Sequence, residues 1–351
     1  MNKKPFGLDI GATTLKIVWL DEKKEGYFLK AASVVPTPPT SVVPTPPKGM
    51  MSESPLDEEE MAQVIQRAVT TAKVESKFVN IALAENQVYT KVLEMPVLSD
   101  RELRSAIYWE AEQYIPVPLS NITLTWNILD KPQESKASDK MQVLMVGAPS
   151  MLINKYKKII SMAGLTIASM ETEILSTLRS LVIGQNFPST LIVNIGALST
   201  SLAIVRNNVM VFTYSISIGG MAVNRAIATD FGFTQQQAEE YKKTYGVSKQ
   251  FLGGKVGQAT TPILDAIVAE VKKSLAFYAQ KYRDLPIRQI IISGGSANLP
   301  GIDAYFAQNS GIETVVANPW KILAPQNVPK DVVDNAPDFV IAVGLAMRNY
   351  E

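Results

Sequence analysis

The sequence predicts an α/β fold in two lobes, each with a mixed β-sheet flanked by helices. Three observations carry that reading. Apolar runs of strand character alternate with amphipathic helical segments along the chain. At 351 residues the chain is long enough for two domains or one bilobed unit. One short glycine-centred motif occurs twice, at Leu8–Val18 and Val193–Val205.

Element by element, Phe6 to Ile10 and Thr14 to Leu20 predict two short strands around Gly11-Ala12-Thr13, and Tyr27 to Val35 a third. A tandem duplication follows: SVVPTPPT at Ser33–Thr40, then SVVPTPPK at Ser41–Lys48. Proline cannot pair in a central strand, so an extended surface loop is the first expectation and a PxxP ligand the second. Leu56 to Val74 predicts a helix with Asp57, Glu58 and Glu59 in its first turn, and Phe78 to Ala84 a strand. Ser99 opens a helix with a capping box to Glu102; Leu103, Ile107, Ala111, Tyr114 and Ile115 are its apolar positions and Pro116 ends it. Ile122 to Leu129 and Met141 to Val146 predict strands separated by the polar loop KPQESKASDK. Ser150 to Ala163 and Glu171 to Ile183 predict helices. Then come strands at Thr190–Ile195, Ser201–Val205 and Val209–Ser217, and helices from about Ala222, from Thr234 and over Thr261–Asp284. Gln289 to Ser293 predicts a strand running into Gly294-Gly295, with a helix from about Gly301 and a last one over Phe339–Arg348.

Composition narrows the chemistry. With 34 basic against 33 acidic residues the net charge is +1, so there is no basic field to attract nucleic acid. Cysteine and histidine are both absent. That excludes disulfides, thiol nucleophiles, histidine-based triads and Cys- or His-ligated zinc. Carboxylates, lysine, hydroxyls, the backbone and a carboxylate-bound metal remain. The longest apolar stretch, Phe339–Met347, is nine residues, too short to span a membrane. The Asp9, Thr13, Thr14 and Lys16 positions interrupt any export signal, so a cytoplasmic location is expected.

The repeat carries the functional reading. Each copy runs apolar, Asp or Asn, Ile, Gly, Ala, small hydroxyl residues, then an apolar strand; Asp9 and Asn194 hold equivalent places. Each predicts a hairpin whose glycine turn exposes backbone N–H groups, an anion nest to which hydroxyls add donors. A side-chain oxygen at the end of the incoming strand can hold a hydrated cation beside the anion. Two such hairpins face to face would clamp a polyphosphate, with Lys16 adding charge. Either motif alone is an ordinary turn; together they make a site. A third element, Ile290–Ser293 leading into Gly294-Gly295-Ser296, would let a flat ligand approach the backbone. Neither GxxxxGK nor GxGxxG occurs.

In this order the three segments resemble the phosphate 1, phosphate 2 and adenosine motifs of the actin-like ATPase superfamily. Within it, Glu94-Met95-Pro96, Ser99–Leu103, Glu110–Pro116, Ala163-Gly164-Leu165 and Ser217–Gly220 resemble the PilM family, cytoplasmic proteins of type IV pilus assembly from the FtsA-like branch. The resemblance implies an actin-like ATPase fold with an FtsA-like subdomain inserted in the first lobe. The first lobe would cover 1–91 and 146–189, the insert 92–145, and the second lobe 190–351, with the final helix returning to the first. It implies ATP (or ADP) and Mg²⁺ in the interlobe cleft. Asp9, Gly11, Ala12, Thr13, Thr14 and Lys16 would form phosphate 1, and Gly196, Ala197, Ser199 and Thr200 phosphate 2. Gly294, Gly295 and Ser296 match the adenosine motif, and Glu239 and Lys242 the Ala-Glu-x-x-Lys stretch that contacts the nucleoside. Glu239 and Lys242 also fit an exposed helix face with i,i+3 charges.

The family usually has Asp at the start of phosphate 2 where this chain has Asn194, which leaves Asp9 as the obvious carboxylate for Mg²⁺, beside Asn194. Robust turnover is therefore not expected, and no catalytic residue is assigned. Glu171 and Glu173 are candidates to position water, or plain charges at a helix start. The implied partner is the N-terminal cytoplasmic tail of a PilN-like inner-membrane protein, with pilus motor ATPases as further partners; the chain itself would not insert in membrane. Tyr108, Trp109, Tyr114 and Ile115 would line the peptide groove, unless they pack the insert's own core. The alternatives on the same fold are an FtsA-like filament protein and a small-molecule kinase. The kinase needs a carboxylate base that the sequence does not reveal.

Overall fold

The computed structural model describes residues 4–38, 55–132, 139–182, 188–247, 254–324, 326 and 328–348. The second copy of the proline-rich duplication, most of the polar loop (133–138) and the terminal residues 349–351 lie outside them.

The chain opens with β1 (Phe6–Ile10), β2 (Thr14–Lys23), β3 (Gly26–Pro36), α1 (Pro55–Thr71) and β4 (Phe78–Leu83). Next come β5 (Tyr89–Pro96), α2 (Asp100–Tyr114), β6 (Ile122–Asp130) and β7 (Lys140–Pro149), then α3 (Ser150–Met162), β8 (Thr166–Thr172) and α4 (Glu173–Val182). The second half holds β9 (Thr190–Ile195), β10 (Thr200–Arg206), β11 (Val209–Ile216), α5 (Gly220–Phe231), α6 (Gln235–Tyr245) and α7 (Lys255–Lys281). It ends with β12 (Gln289–Ser293), α8 (Ile302–Ser310), β13 (Glu313–Val316), α9 (Lys330–Asp334) and α10 (Val340–Ala346).

The motif repeat is a repeat of topology. One sheet has the order β3-β2-β1-β4-β8 and the other β11-β10-β9-β12-β13. In both, the first two pairings are antiparallel and the last two parallel. β1 and β9 are the central strands, and every residue of each is buried. That explains their continuous apolar runs, broken only by the Asp or Asn that ends up in the cleft. Each lobe has its own core. Leu8, Ile17, Met61, Ile65, Ile81 and Tyr156 centre the first, and Leu191, Val193, Leu264, Val271, Ile292 and Phe306 the second.

The insert is a three-stranded antiparallel sheet, β5-β7-β6, covered by α2. Its strands begin before and end after the 92–145 expected for it. Leu103, Ile107 and Ala111 of α2 pack on Leu93, Met141, Val143 and Met145. The other face places Leu144 and Val146 against Ile174 of α4 and Ala203 and Met210 of the second sheet. The insert therefore touches both lobes.

α4 and α10 lie together between the sheets. α10 packs on β1, β2 and β4 as well as on α4. Contact is close enough that a Cβ on Gly344 would fall 1.8 Å from the Ser176 carbonyl oxygen.

Two expectations change and two strands are added. Glu171, expected to open a helix, ends β8, because Ala82↔Glu171 and Leu83↔Thr172 pair in the first sheet. Strands β5 and β13 carry no clean alternation and form by pairing with β7 and β12. α7 starts at Lys255 rather than Thr261 and runs through Pro262. Thr260 and Thr261 hydroxyls both donate to the Gly257 carbonyl just ahead of the proline.

Candidate functional site

The site grows from the two β-hairpins. In the first, the Gly11 N–H donates to the Thr14 carbonyl at 3.0 Å; in the second, the Gly196 N–H donates to the Ser199 carbonyl at 2.9 Å. Register places Lys16 opposite Asp9 and Ser201 opposite Asn194. Asp9 and Lys16 are both buried. Lys16 Nζ lies 3.4 Å from Asp9 Oδ2 and 3.8 Å from Asp338 Oδ1. Burial raises the pKa of Asp9, with Lys16 pulling it back. Burial opposes charge on Lys16, but Asp9 and Asp338 outweigh it and hold the ammonium above its usual range.

Asp338 ties the lobes together. It sits in the short turn before α10, and a Cβ on Gly295 would lie 3.0 Å from its Oδ1. The neighbouring Pro337 carbonyl accepts from the Gly294 N–H at 2.9 Å. Gly294, with φ +84°, backs onto the second hairpin: a Cβ there would lie 2.7 Å from Asn194 Oδ1. The first hairpin, Asp338, the two glycines and the second hairpin thus form one contiguous wall of backbone and charge.

The residues expected on the nucleoside side also converge. Lys242 is buried, which rules out the exposed-face reading for it. Its Nζ is 2.6 Å from Glu239 Oε2 and 3.5 Å from the Gly220 carbonyl. Asn224 Nδ2 donates to the same Glu239 oxygen at 2.6 Å. A Cβ on Gly220 would come within 2.5 Å of Ser296 Oγ and 3.3 Å of Lys242 Nζ, so this glycine keeps the space between them open. Burial lowers the pKa of Lys242; at Glu239 burial is outweighed by Lys242 and Asn224, and the carboxylate is held low.

Asn194 is buried, and its Oδ1 accepts from Ser293 Oγ at 3.2 Å. Asp9 is a buried carboxylate at the strand end beside the first turn, a donor suited to a hydrated divalent cation next to phosphates. Asn194 can add only a neutral oxygen that Ser293 already engages.

The two acids considered for water positioning part ways. Glu171 is buried and locked: Arg179 donates to both its oxygens, at 2.5 and 2.8 Å, and Arg348 adds a third bond. It has no role left in the cleft, which corrects its candidacy. Glu173, at the start of α4, is partly buried; burial first, then the charges of Asp9 and Glu85, push its pKa up to about 8. Neither is a solvated helix-start charge.

Of the residues expected at a partner groove, Tyr108, Trp109 and Tyr114 are exposed, at 47%, 61% and 41%. Ile115 is a correction: it is buried in the insert's own core with Ile107 and Ala111 and presents nothing to a partner. The Tyr114 hydroxyl donates to the Thr90 carbonyl at 3.1 Å. Tyr114 lines a small polar cavity with Glu85, Thr90, Thr213 and Tyr214, at the meeting of the insert with the edge strand of the second sheet. Trp109, two residues after the core-facing Ile107, points about 200° round the helix from it.

Sequence reasoning missed Asp338, Asn224 and Glu85. An acid directly before an apolar helix, or directly after an apolar strand, was the available signal for Asp338 and Glu85. Nothing marked Asn224.

A model of the type IV pilus assembly protein PilM family matches residues 7–350. The chain belongs to the PilM family. Its fold is the actin-like ATPase fold. The chain is similar throughout to a solved chain described as the PilM-PilN type IV pilus biogenesis complex, with 26% identity, 100% of each chain covered and a TM-score of 0.86. It is also similar in fold to the ethanolamine utilization protein EutJ from Carboxydothermus hydrogenoformans, at 15% identity, 98% and 89% coverage and TM-score 0.57. MreB 5 of Spiroplasma citri bound to AMPPNP follows at 14% identity, 98% and 95% coverage and TM-score 0.51. Among the described residues of this PilM-family chain, no helix is long and apolar enough to cross a membrane.

Proposed function

We propose that this chain is an ATP-binding scaffold of type IV pilus assembly, at the inner face of the membrane that carries its partner. The carrying observation is that Lys16, Asp338 and Gly295 meet across the lobes, so that two glycine hairpins flank one charged cleft. ATP phosphates would lie against the turns Gly11–Thr14 and Gly196–Thr200, and Asp9, with the neutral Asn194 in the equivalent place, would be the residues to hold Mg²⁺. The nucleoside would lie by Gly294, Gly295 and Ser296, near Glu239 and Lys242. When bound, the metal neutralises phosphate charge; the chain's own residues orient the polyphosphate.

Turnover is slow in this reading. The second carboxylate is an asparagine, and Glu173 carries its proton near neutral pH instead of accepting one from water. The partner is the cytoplasmic tail of a PilN-like protein, which would reach the insert near Tyr114, with Tyr108 and Trp109 available outside; motor ATPases would engage the same assembly. The similar PilM-PilN complex supports the first of these.

Calorimetry tests the cleft. The chain should bind MgATP, and Lys16→Ala and Asp9→Ala should each weaken it by about tenfold or more. Unchanged affinity in both variants would count against the site. A pull-down with a PilN-like tail peptide tests the partner: capture should fail with Tyr114→Ala.

A further inference from the structure

The two turns are braced from behind by different means. In the second lobe, the Gly220 and Met221 N–H groups at the start of α5 donate to the Gly196 and Ala197 carbonyls, each at 2.9 Å. In the first lobe a single residue from outside the hairpin does this. Thr37 Oγ1 donates to the Ala12 carbonyl at 3.0 Å, and the Thr37 N–H donates to the Thr13 carbonyl at 3.0 Å. Thr37 is buried.

The geometry has a direct consequence. In a trans peptide the C=O and N–H point in opposite directions. Holding the Ala12 carbonyl aims the Thr13 N–H of the same peptide away from Thr37. The Gly196 and Ala197 carbonyls fix the Ala197 and Leu198 N–H groups in the same way. Among the described residues, none of these three N–H groups has an acceptor. They are the donors that an anion nest requires.

The proline-rich duplication now gains a physical role at its first copy. Pro36 ends β3 opposite Thr14, and Pro38 follows Thr37. Pro36 has a fixed φ, and a residue before proline is held extended, so Thr37 gives up little freedom when it latches. We infer that Thr37 is a positioning residue of the phosphate site: it braces the first turn so that its N–H groups stand ready for the anionic oxygens of a nucleoside triphosphate. This rests on the ATP-binding reading above.

The test compares Thr37→Val, Thr37→Ser and the double variant Thr37→Val/Thr45→Val in the full chain. Thr45 sits in the identical Pro44-Thr45-Pro46 of the second copy, and the double variant removes any substitute latch. Calorimetry reads MgATP affinity, and competition reads adenosine, which has no phosphate. Thr37→Val should weaken ATP by about tenfold, the loss of one part-buried hydrogen bond, while adenosine binding stays as in wild type. Thr37→Ser, which keeps the hydroxyl, should restore ATP binding. Wild-type ATP affinity in both valine variants overturns the inference alone. Equal weakening of ATP and adenosine, or no rescue by serine, overturns it in favour of a merely structural threonine. A wild-type chain that binds no ATP sinks this inference and the ATP-binding reading together.

Discussion

Asn194 and Glu173 set the chemical character of the cleft. Asn194 occupies the place that Asp9 holds in the other hairpin, but its oxygen already accepts from Ser293. If the missing carboxylate is what limits turnover, Asn194→Asp should raise steady-state phosphate release from ATP; no increase over wild type would remove that explanation. Glu173 makes a separate prediction. Its carboxyl is held at about 8 against an ordinary 4.5, so the folded chain keeps a proton that the unfolded chain releases. The sign follows from linkage: stability is greatest below the unfolded value and falls as pH rises toward 8. Glu173→Gln stays neutral throughout. Its melting temperature minus that of wild type, without nucleotide, should therefore grow between pH 4.5 and about 8. A difference that is flat with pH would refute the burial argument.

At the scale of elements, local signals and tertiary ones can be separated. α2 begins with a full capping box: Glu102 accepts from the Ser99 N–H at 2.9 Å, and the Ser99 hydroxyl accepts from the Glu102 N–H. Ser99→Ala should cost about 1 kcal/mol, read as a lower denaturation midpoint, with the loss confined to one cap. That helix was legible because its apolar residues fall at helical spacing and its cap is local. β5 and β13 were not, because they exist as strands only through pairing with β7 and β12, across intervening elements of the chain.

At the scale of the molecule, α4 and α10 are the shared spine of the lobes. Gly7 of β1 and Gly344 of α10 mark where it is tightest; a Cβ at Gly7 would lie 2.2 Å from the Ala342 carbonyl oxygen. Gly344→Ala should destabilise the chain by about 3 kcal/mol, because backbone rather than a flexible side-chain end stands in the way. Urea unfolding measures it, and a midpoint equal to wild type would show that the spine relaxes freely. The insert adds a second link between lobes: Glu94 accepts from Lys140 at 2.8 Å and from Lys281 of α7 at 2.7 Å. These partners are part-exposed, so the clasp contributes little to stability. Its position still matters, since there the insert packs against β11 of the second sheet.

The duplicated hairpins, the central buried strands, the capped helix of the insert and the residues of the turns could be read from the chain's local pattern. Those depend on local periodicity, on glycine and on residue type. Folding in three dimensions was needed to bring Asp338 to Lys16, to pair Glu171 with two arginines, to turn Ile115 into the insert and to set Thr37 behind the first turn. Each of these is a meeting of segments far apart in the chain, and no local pattern encodes which distant side chain will fill a given space.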